Sequence, residues 1–242
     1  MKGLSRRTHR AHARVRDGNF SLHGFDVHGK TAGVIGTGKI GTCLLDVLRD
    51  FGCRLIAYDL FPKQDLVDRL DLRYVELDEL FAEADVISLR AARTPGPYHL
   101  IDAAAIEKMK DGVMLIKTAR GGLVDTPALL DGLKRGKIGY AGLDVYEEEA
   151  DCFYKDLSAS LIADDTLARL TTFNNLMVTG HQGSLTETAQ RNMVETTIEN
   201  IREFELGRRD ADLTNAVVPR RAWFVWGSSV ETAGKPGYLH LI

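Results

Sequence analysis

The sequence predicts an α/β protein built on a Rossmann-type doubly wound parallel sheet. Three observations carry this expectation. Strand-like and helix-like patterns alternate from Gly29 onward. Gly36, Gly38 and Gly41 form G-x-G-x-x-G where an apolar run gives way to an amphipathic stretch. Asp59 then ends the next apolar run, at the distance expected of a ribose-binding acid.

The elements follow in order. Thr31–Ile35 is a short apolar run, as a buried strand should be. Ile40, Cys43, Leu44, Val47, Leu48 and Phe51 recur at helical spacing, and Gly52 closes that helix. Cys43, on this face, is expected to fill core. Arg54–Tyr58 reads as a second strand, 76–84 as a short helix and 85–89 as a strand. Residues 103–110 read as a helix and 113–116 as a dense apolar strand. Thr126 and Pro127 read as an N-cap followed by Pro at the first helical position, with Leu129, Leu130 and Leu133 buried and Gly136 as the stop. Strands are expected at 138–145 and 176–179. A long helix is expected from Ser184, with Ser184 and Glu187 as a capping box, Val194, Ile198 and Ile201 as its apolar stripe and Gly207 as its end. Residues 208–242 form an irregular tail without period. Trp223, Phe224, Val225 and Trp226 there mark either a contact surface or a disordered segment.

Composition bounds the class. The chain has 242 residues, 44% hydrophobic and 27% charged, the profile of an ordinary globular protein. A net charge of −3 gives no global reason for nucleic acid or an acidic membrane as partner, and no apolar run has the length of a membrane span. Cys43, Cys53 and Cys152 are scattered, which argues for a reducing, cytoplasmic compartment. No cluster has metal-ligand spacing, so no metal is expected. Lys2, Arg6, Arg7, Arg10, Arg14 and Arg16 all precede the first acid, Asp17. Such a start suits a transit peptide or a basic arm for nucleic acid, and the preferred reading is a solvated helix.

The fingerprint suggests NAD. Gly36 permits the tight turn, Gly38 lets the backbone approach a pyrophosphate, and Gly41 lets helix and strand pack closely. The amides opening the helix meet phosphate charge. Asp59 can accept both ribose hydroxyls and would repel a 2′-phosphate, which favours NAD over NADP. Similar patterns occur in S-adenosylmethionine-binding domains, as in a methyltransferase, and in Gly-rich turns of unrelated α/β proteins. Lys39 lacks the Gly-Lys-Ser/Thr context of a P-loop lysine.

Three further segments each follow an expected strand: Lys117-Thr118-Ala119-Arg120-Gly121-Gly122, Asp144-Val145-Tyr146-Glu147-Glu148-Glu149 and Thr179-Gly180-His181-Gln182. In a doubly wound sheet such loops share the carboxyl edge, where ligands bind. By itself, a histidine after a strand is usually structural, a run of three glutamates is usually a solvated face, and Arg120 could cap a loop against Asp125. Taken together with the fingerprint, and with Ala-Arg-Gly-Gly-Leu-Val-Asp, Leu-Asp-Val-Tyr-Glu and Val-Thr-Gly-His-Gln, the chain resembles the D-isomer-specific 2-hydroxyacid dehydrogenases from about Arg6 to about Val218. The bacterial-type D-lactate dehydrogenases are the most similar branch.

The resemblance implies catalytic roles for Arg120, Glu149 and His181 and a nicotinamide carboxamide contact for Asp144. The candidate cofactor set is Gly36, Gly38, Lys39, Ile40, Gly41, Asp59, Thr118 and Asp144. It implies interconversion of D-lactate, or a similar D-2-hydroxy acid, and the 2-keto acid by hydride transfer, in a homodimer. The residue types suit that chemistry. An arginine fork pairs a carboxylate and polarises the adjacent carbonyl. A histidine passes a proton near neutral pH, and a neighbouring glutamate favours imidazolium.

The sequence also departs from the family pattern. The family begins with a substrate domain, and Met1 falls near the helix that follows it. Residues 1–20 are therefore expected as a truncated linker helix, 21–183 as the NAD-binding domain, and 184–207 as a helix that packs on the substrate domain, so that remnants of a second domain are present. Ser88-Leu89-Arg90-Ala91-Ala92-Arg93 stands where a His-Cys-Pro or Val-Pro segment is usual, Lys117 replaces a common Asn, and Gly183 a common Ala. The alternative function is a non-catalytic NAD-binding module, or an inactive fragment, that binds a partner.

Overall fold

The computed structural model describes residues 1–21, 23–91, 98–147, 156–209 and 212–216. The chain divides into two compact units, Met1–Ser184 and Leu185–Ile242. In the first, helices α1 (Lys2–Ser5) and α2 (Thr8–Val15) precede a repeating series. It comprises β1 (Thr31–Ile35), α3 (Lys39–Asp50), β2 (Arg54–Tyr58), α4 (Gln64–Leu70), β3 (Arg73–Tyr74), α5 (Leu77–Glu83), β4 (Val86–Leu89) and α6 (Ala103–Lys108). It continues through β5 (Val113–Lys117), α7 (Thr126–Arg135), β6 (Ile138–Leu143), α8 (Asp165–Thr171) and β7 (Leu176–Val178). The described part of the second unit is mainly α9 (Glu187–Glu205).

All seven strands are parallel, in the order β3-β2-β1-β4-β5-β6-β7. The order reverses between β1 and β4, which opens a crevice at their carboxyl ends. The central strands β1, β4 and β5 are buried along their whole length, so their residues read as largely apolar runs. In β5, Val113 and Leu115 join one core layer with Leu80, Ile106, Leu133 and Leu170. Met114 and Ile116 point the other way, to Leu4 of α1. On that second face Leu45 and Leu48 of α3 and Leu66 and Leu70 of α4 cover β1 and β2.

Several local expectations need correction. Gly41, Leu45 and Leu48 form the buried face of α3, whereas Ile40, Cys43 and Val47 are exposed. Gly41 sets this phase. A Cβ there would lie 2.0 Å from the Gly36 carbonyl oxygen, so residue 41 is pressed onto the turn. At 3.6 residues per turn, positions 40, 43 and 47 then rotate outward. The cap of α7 is Asp125, whose carboxylate accepts from the Ala128 amide at 3.3 Å. Thr126 is already helical, and its hydroxyl is engaged elsewhere. The cap of α9 is Thr186, accepting from the Ala189 amide at 3.1 Å. Ser184 instead ends a 3₁₀ turn, Gln182–Ser184. Strand β6 stops at Leu143, so 144–146 already belong to the following loop.

Elements α4, β3 and α8 were not anticipated, and residues 1–20 hold two short helices broken at Arg7, which has a φ of +48°. The segment Trp223–Trp226 lies outside the described residues, as do Cys152, Ala92 and Arg93.

Candidate functional site

The carboxyl edge of the sheet gathers the residues singled out from sequence. At β1 the chain turns at Gly36, with φ +98°, a conformation that L side chains rarely adopt. A Cβ there would also fall 2.6 Å from the Ala91 amide nitrogen, at the end of β4. Gly38 differs, because a Cβ on it would meet nothing within 4 Å. The protein itself therefore does not require glycine at 38, and the open space beside it fits a ligand's approach. Gly38 is the N-cap of α3 and supplies no side-chain cap, so the first-turn amides, with exposed Lys39 and Ile40, face that space unpaired by side chains.

Asp59, at the end of β2, is half-buried and already organised. Its carboxylate accepts from the Thr37 amide at 2.5 Å, the Thr37 hydroxyl at 2.8 Å and the Phe61 amide at 2.9 Å. Burial opposes its ionisation. The hydrogen bonds from Phe61 and Thr37 and the nearby Lys63 ammonium outweigh that and hold it below the usual carboxylate range. Two carboxylate oxygens offer about four lone-pair sites, so acceptor capacity remains for a hydroxyl. Thr37 is fully buried and was missed in the sequence. Its hydroxyl also accepts from Tyr74, and its carbonyl accepts from Lys63 and Thr42. A threonine between two fingerprint glycines carries no pattern of its own.

The ends of β5, β6 and β7 converge next to this turn. The Asp144 amide donates to the Lys117 carbonyl at 2.9 Å, and the His181 amide donates to the Asp144 carbonyl at 2.5 Å. The Asp144 carboxylate accepts from the Thr179 hydroxyl and, at 3.2 Å, from the Gln182 amide. Thr118, Asp144 and His181 therefore lie on adjoining loops. Gly180 and His181 are both left-handed, with φ +64° and +55°. A non-glycine residue in that region carries strain of about 1–3 kcal/mol, held here by the bond of the His181 amide to the Asp144 carbonyl. The Thr118 hydroxyl is buried without a hydrogen-bond partner among the described residues. Such a group costs stability, and a turn of its side chain toward the open edge would let a ligand supply the bond.

Arg120 is exposed on the loop after β5 and makes no ion pair among the described residues, so its fork is not spent on Asp125. Lys117, only 1% exposed, donates from Nζ to the Gly121 carbonyl at 3.0 Å and braces this loop from below. Arg90 ends β4 on the same edge, with Nε donating to the Ser88 hydroxyl at 3.2 Å. Burial pushes its guanidinium down, and the Asp144 carboxylate partly offsets this. Glu149 lies outside the described residues. Glu147, its neighbour in the acidic run, is not solvated: it accepts from Tyr98, His99 and Thr126.

A cavity of about 870 Å³ lies elsewhere, at the amino ends of the strands beside Thr31, Arg54 and Arg73. Ion pairs such as Arg73–Glu83 and Lys110–Asp85 cross that region, and none of the candidate residues reaches it. Among the described residues no group of His, Cys, Asp and Glu could hold a metal ion, and no helix is long and apolar enough to cross a membrane.

Residues 1–183 match the family described as D-isomer specific 2-hydroxyacid dehydrogenase, NAD binding domain. The chain is 49% identical over 210 residues to the D-lactate dehydrogenase of Escherichia coli (strain K12), a match that covers 86% of this chain and 64% of that protein. Among solved structures, Salmonella D-lactate dehydrogenase superposes with a TM-score of 0.77 at 49% identity, covering 88% of this chain and 66% of that one. D-lactate dehydrogenase with NAD+ from Lactobacillus jensenii gives 0.78 at 30% identity, covering 89% and 66%. The chain thus spans a little under two thirds of the length of the curated relatives it matches.

Proposed function

The chain belongs to the D-isomer-specific 2-hydroxyacid dehydrogenase family through its NAD-binding domain, and from that premise we propose that it serves the reduction of a small 2-keto acid, such as pyruvate, to the D-2-hydroxy acid. The observation that carries this reading is the convergence of Thr118, Asp144 and His181 on one sheet edge, beside a fingerprint whose Gly38 faces open space. A non-catalytic NAD-binding module would use Thr118 and Asp144 equally but leaves His181 and Arg120 without a purpose, and the relatives named above are dehydrogenases.

The residues present fit NAD. Gly36, Gly38, Lys39, Ile40 and Gly41 would hold the pyrophosphate through backbone amides, and Asp59 the adenosine ribose. Thr118 and Asp144 would hold the nicotinamide end. The bound cofactor supplies the hydride. The chain's own groups do the rest. Arg120 pairs the substrate carboxylate with its planar fork and draws charge from the neighbouring carbonyl. The His181 imidazolium holds a proton toward the carbonyl oxygen and releases it as negative charge develops there. Glu149, assigned from the family pattern, would favour the charged imidazole and orient it. The left-handed backbone at Gly180 and His181, with the His181 amide bonded to the Asp144 carbonyl, supports a role for His181 beside the nicotinamide contact assigned to Asp144.

Two finer expectations stand beside this reading: a homodimer, which rests on the family likeness, and a cytoplasmic location, which rests on the scattered cysteines. Light scattering of the purified chain tests the first. The activity itself is tested by pyruvate-dependent oxidation of NADH. A rate that His181→Ala abolishes while NADH binding survives supports the reading. A folded chain that binds NADH and never oxidises it overturns the reading.

A further inference from the structure

Beneath the Arg120 loop lies a cluster of side chains that the chemistry above does not use. The Glu147 carboxylate, 12% exposed, accepts three hydrogen bonds from two other segments. They come from the Tyr98 hydroxyl, from His99 Nε2 at 2.7 Å and from the Thr126 hydroxyl at 3.0 Å. Burial opposes ionisation of Glu147, and the bonds from Tyr98, His99 and Thr126 more than compensate, so it stays a carboxylate. His99 sits in the left-handed region, φ +66°, and its amide donates to the Gly122 carbonyl at 3.0 Å. The chain then continues as a ribbon on the same loop: Ile101 donates to Leu123, Asp125 donates to Ile101, and Ile101 bridges Val124.

The two glycines after Arg120 are clamped by the same cluster. A Cβ on Gly121 would lie 2.2 Å from the Tyr146 carbonyl oxygen and 2.8 Å from Glu147 Cα. A Cβ on Gly122 would lie 2.7 Å from the Tyr98 ring. The backbone that aims Arg120 is therefore held between residues 146–147 on one side and Tyr98 on the other. Glu147 ties those two jaws together and anchors both to the first residue of α7.

We infer that Glu147 is a positioning residue that acts through Tyr98 and His99 to fix the direction of Arg120. The chemistry proposed above assigns it no contact with substrate or cofactor. The carboxylate-binding role of Arg120 rests on the function proposed above, whereas the clamp itself is a property of the fold. Glu147→Gln keeps the size of the side chain but loses the charge and one acceptor. Tyr98→Phe keeps the ring against Gly122 and loses only the hydroxyl, a milder cut should the first variant fail to fold.

The test combines hydrogen exchange of amides 121–124 with the affinity of the NADH-loaded chain for oxamate, a non-reducible keto-acid mimic. In both variants exchange at 121–124 should rise, by about tenfold for Glu147→Gln, as local opening becomes easier. Oxamate should bind about 10- to 100-fold more weakly, the usual penalty for a displaced binding group, with NADH affinity unchanged. Equal loss of NADH and oxamate affinity would reduce Glu147 to general structural support, and unchanged exchange in both variants would overturn the inference. Should the unaltered chain bind NADH but no oxamate, the dehydrogenase reading fails, and the exchange data still decide whether Glu147 holds the loop.

Discussion

Replacing Thr118 by valine should stabilise the free protein and weaken its grip on NADH, an unusual pairing of effects. The Thr118 hydroxyl is buried with no partner among the described residues. An unsatisfied buried polar group costs about 1–3 kcal/mol, and valine matches threonine in shape without that group. Allowing for imperfect repacking, the gain should be about 1 kcal/mol. For a domain of this size that corresponds to a rise of about 2–4 °C in Tm. If NADH supplies the missing bond, its loss should weaken binding about tenfold, about 1.4 kcal/mol. The stabilisation by a fixed excess of NADH should shrink by the same amount. Thermal unfolding of both proteins, with and without NADH, reads all four states. A lower Tm for the valine variant without NADH, or an NADH-induced shift equal to that of the unaltered chain, would refute the reasoning.

Other expectations follow from the same edge. Gly38→Ala should leave Tm nearly unchanged and abolish NADH binding, since a Cβ there meets only open space. Gly41→Ala should cost about 1–3 kcal/mol or more in denaturant unfolding, because its Cβ would overlap the Gly36 carbonyl. Arg120→Lys should raise KM for the keto acid strongly in steady-state kinetics and leave the NADH Kd alone, since the planar fork is lost. Asp59, Asp85 and Glu147 are all held below the usual carboxylate range. Their folded values lie below the unfolded ones, so the stability they contribute is full above the unfolded value and is lost as pH falls through the folded value. Urea midpoints measured across the acid range should therefore fall steadily below the ordinary carboxylate region and stay flat above it.

Much of the fold was legible because both faces of the sheet are buried. Strands such as Thr31–Ile35 and Val113–Lys117 announce themselves as apolar runs, and glycines at 36, 52 and 136 punctuate them. What escaped detection depends on contacts made at a distance. The buried phase of α3 is set by Gly41 pressing on Gly36, which no periodicity over Ile40, Cys43 and Val47 reveals. Strand β3 is two residues long, too short to show alternation. The caps went astray because Asp125 and Thr126, or Ser184 and Thr186, are equally plausible by residue type, and tertiary partners decide between them. The candidate site was legible as residue types after strands. Two of its supports, Thr37 under Asp59 and Glu147 joining Tyr98 to Thr126, were not, since each acts through partners distant in sequence. Lys117 stood out only as a departure from the family pattern, and its burial beneath the Arg120 loop shows only in the fold.

The most direct measurement is a calorimetric titration of the purified chain, and of its Gly38→Ala variant, with NADH, NADPH and S-adenosylmethionine. One saturable NADH site is expected, with NADPH much weaker because Asp59 repels a 2′-phosphate, and with no heat from S-adenosylmethionine or from the variant. Binding of S-adenosylmethionine in place of NADH, or NADH binding that survives in Gly38→Ala, would contradict the assignment of this edge as the NAD site.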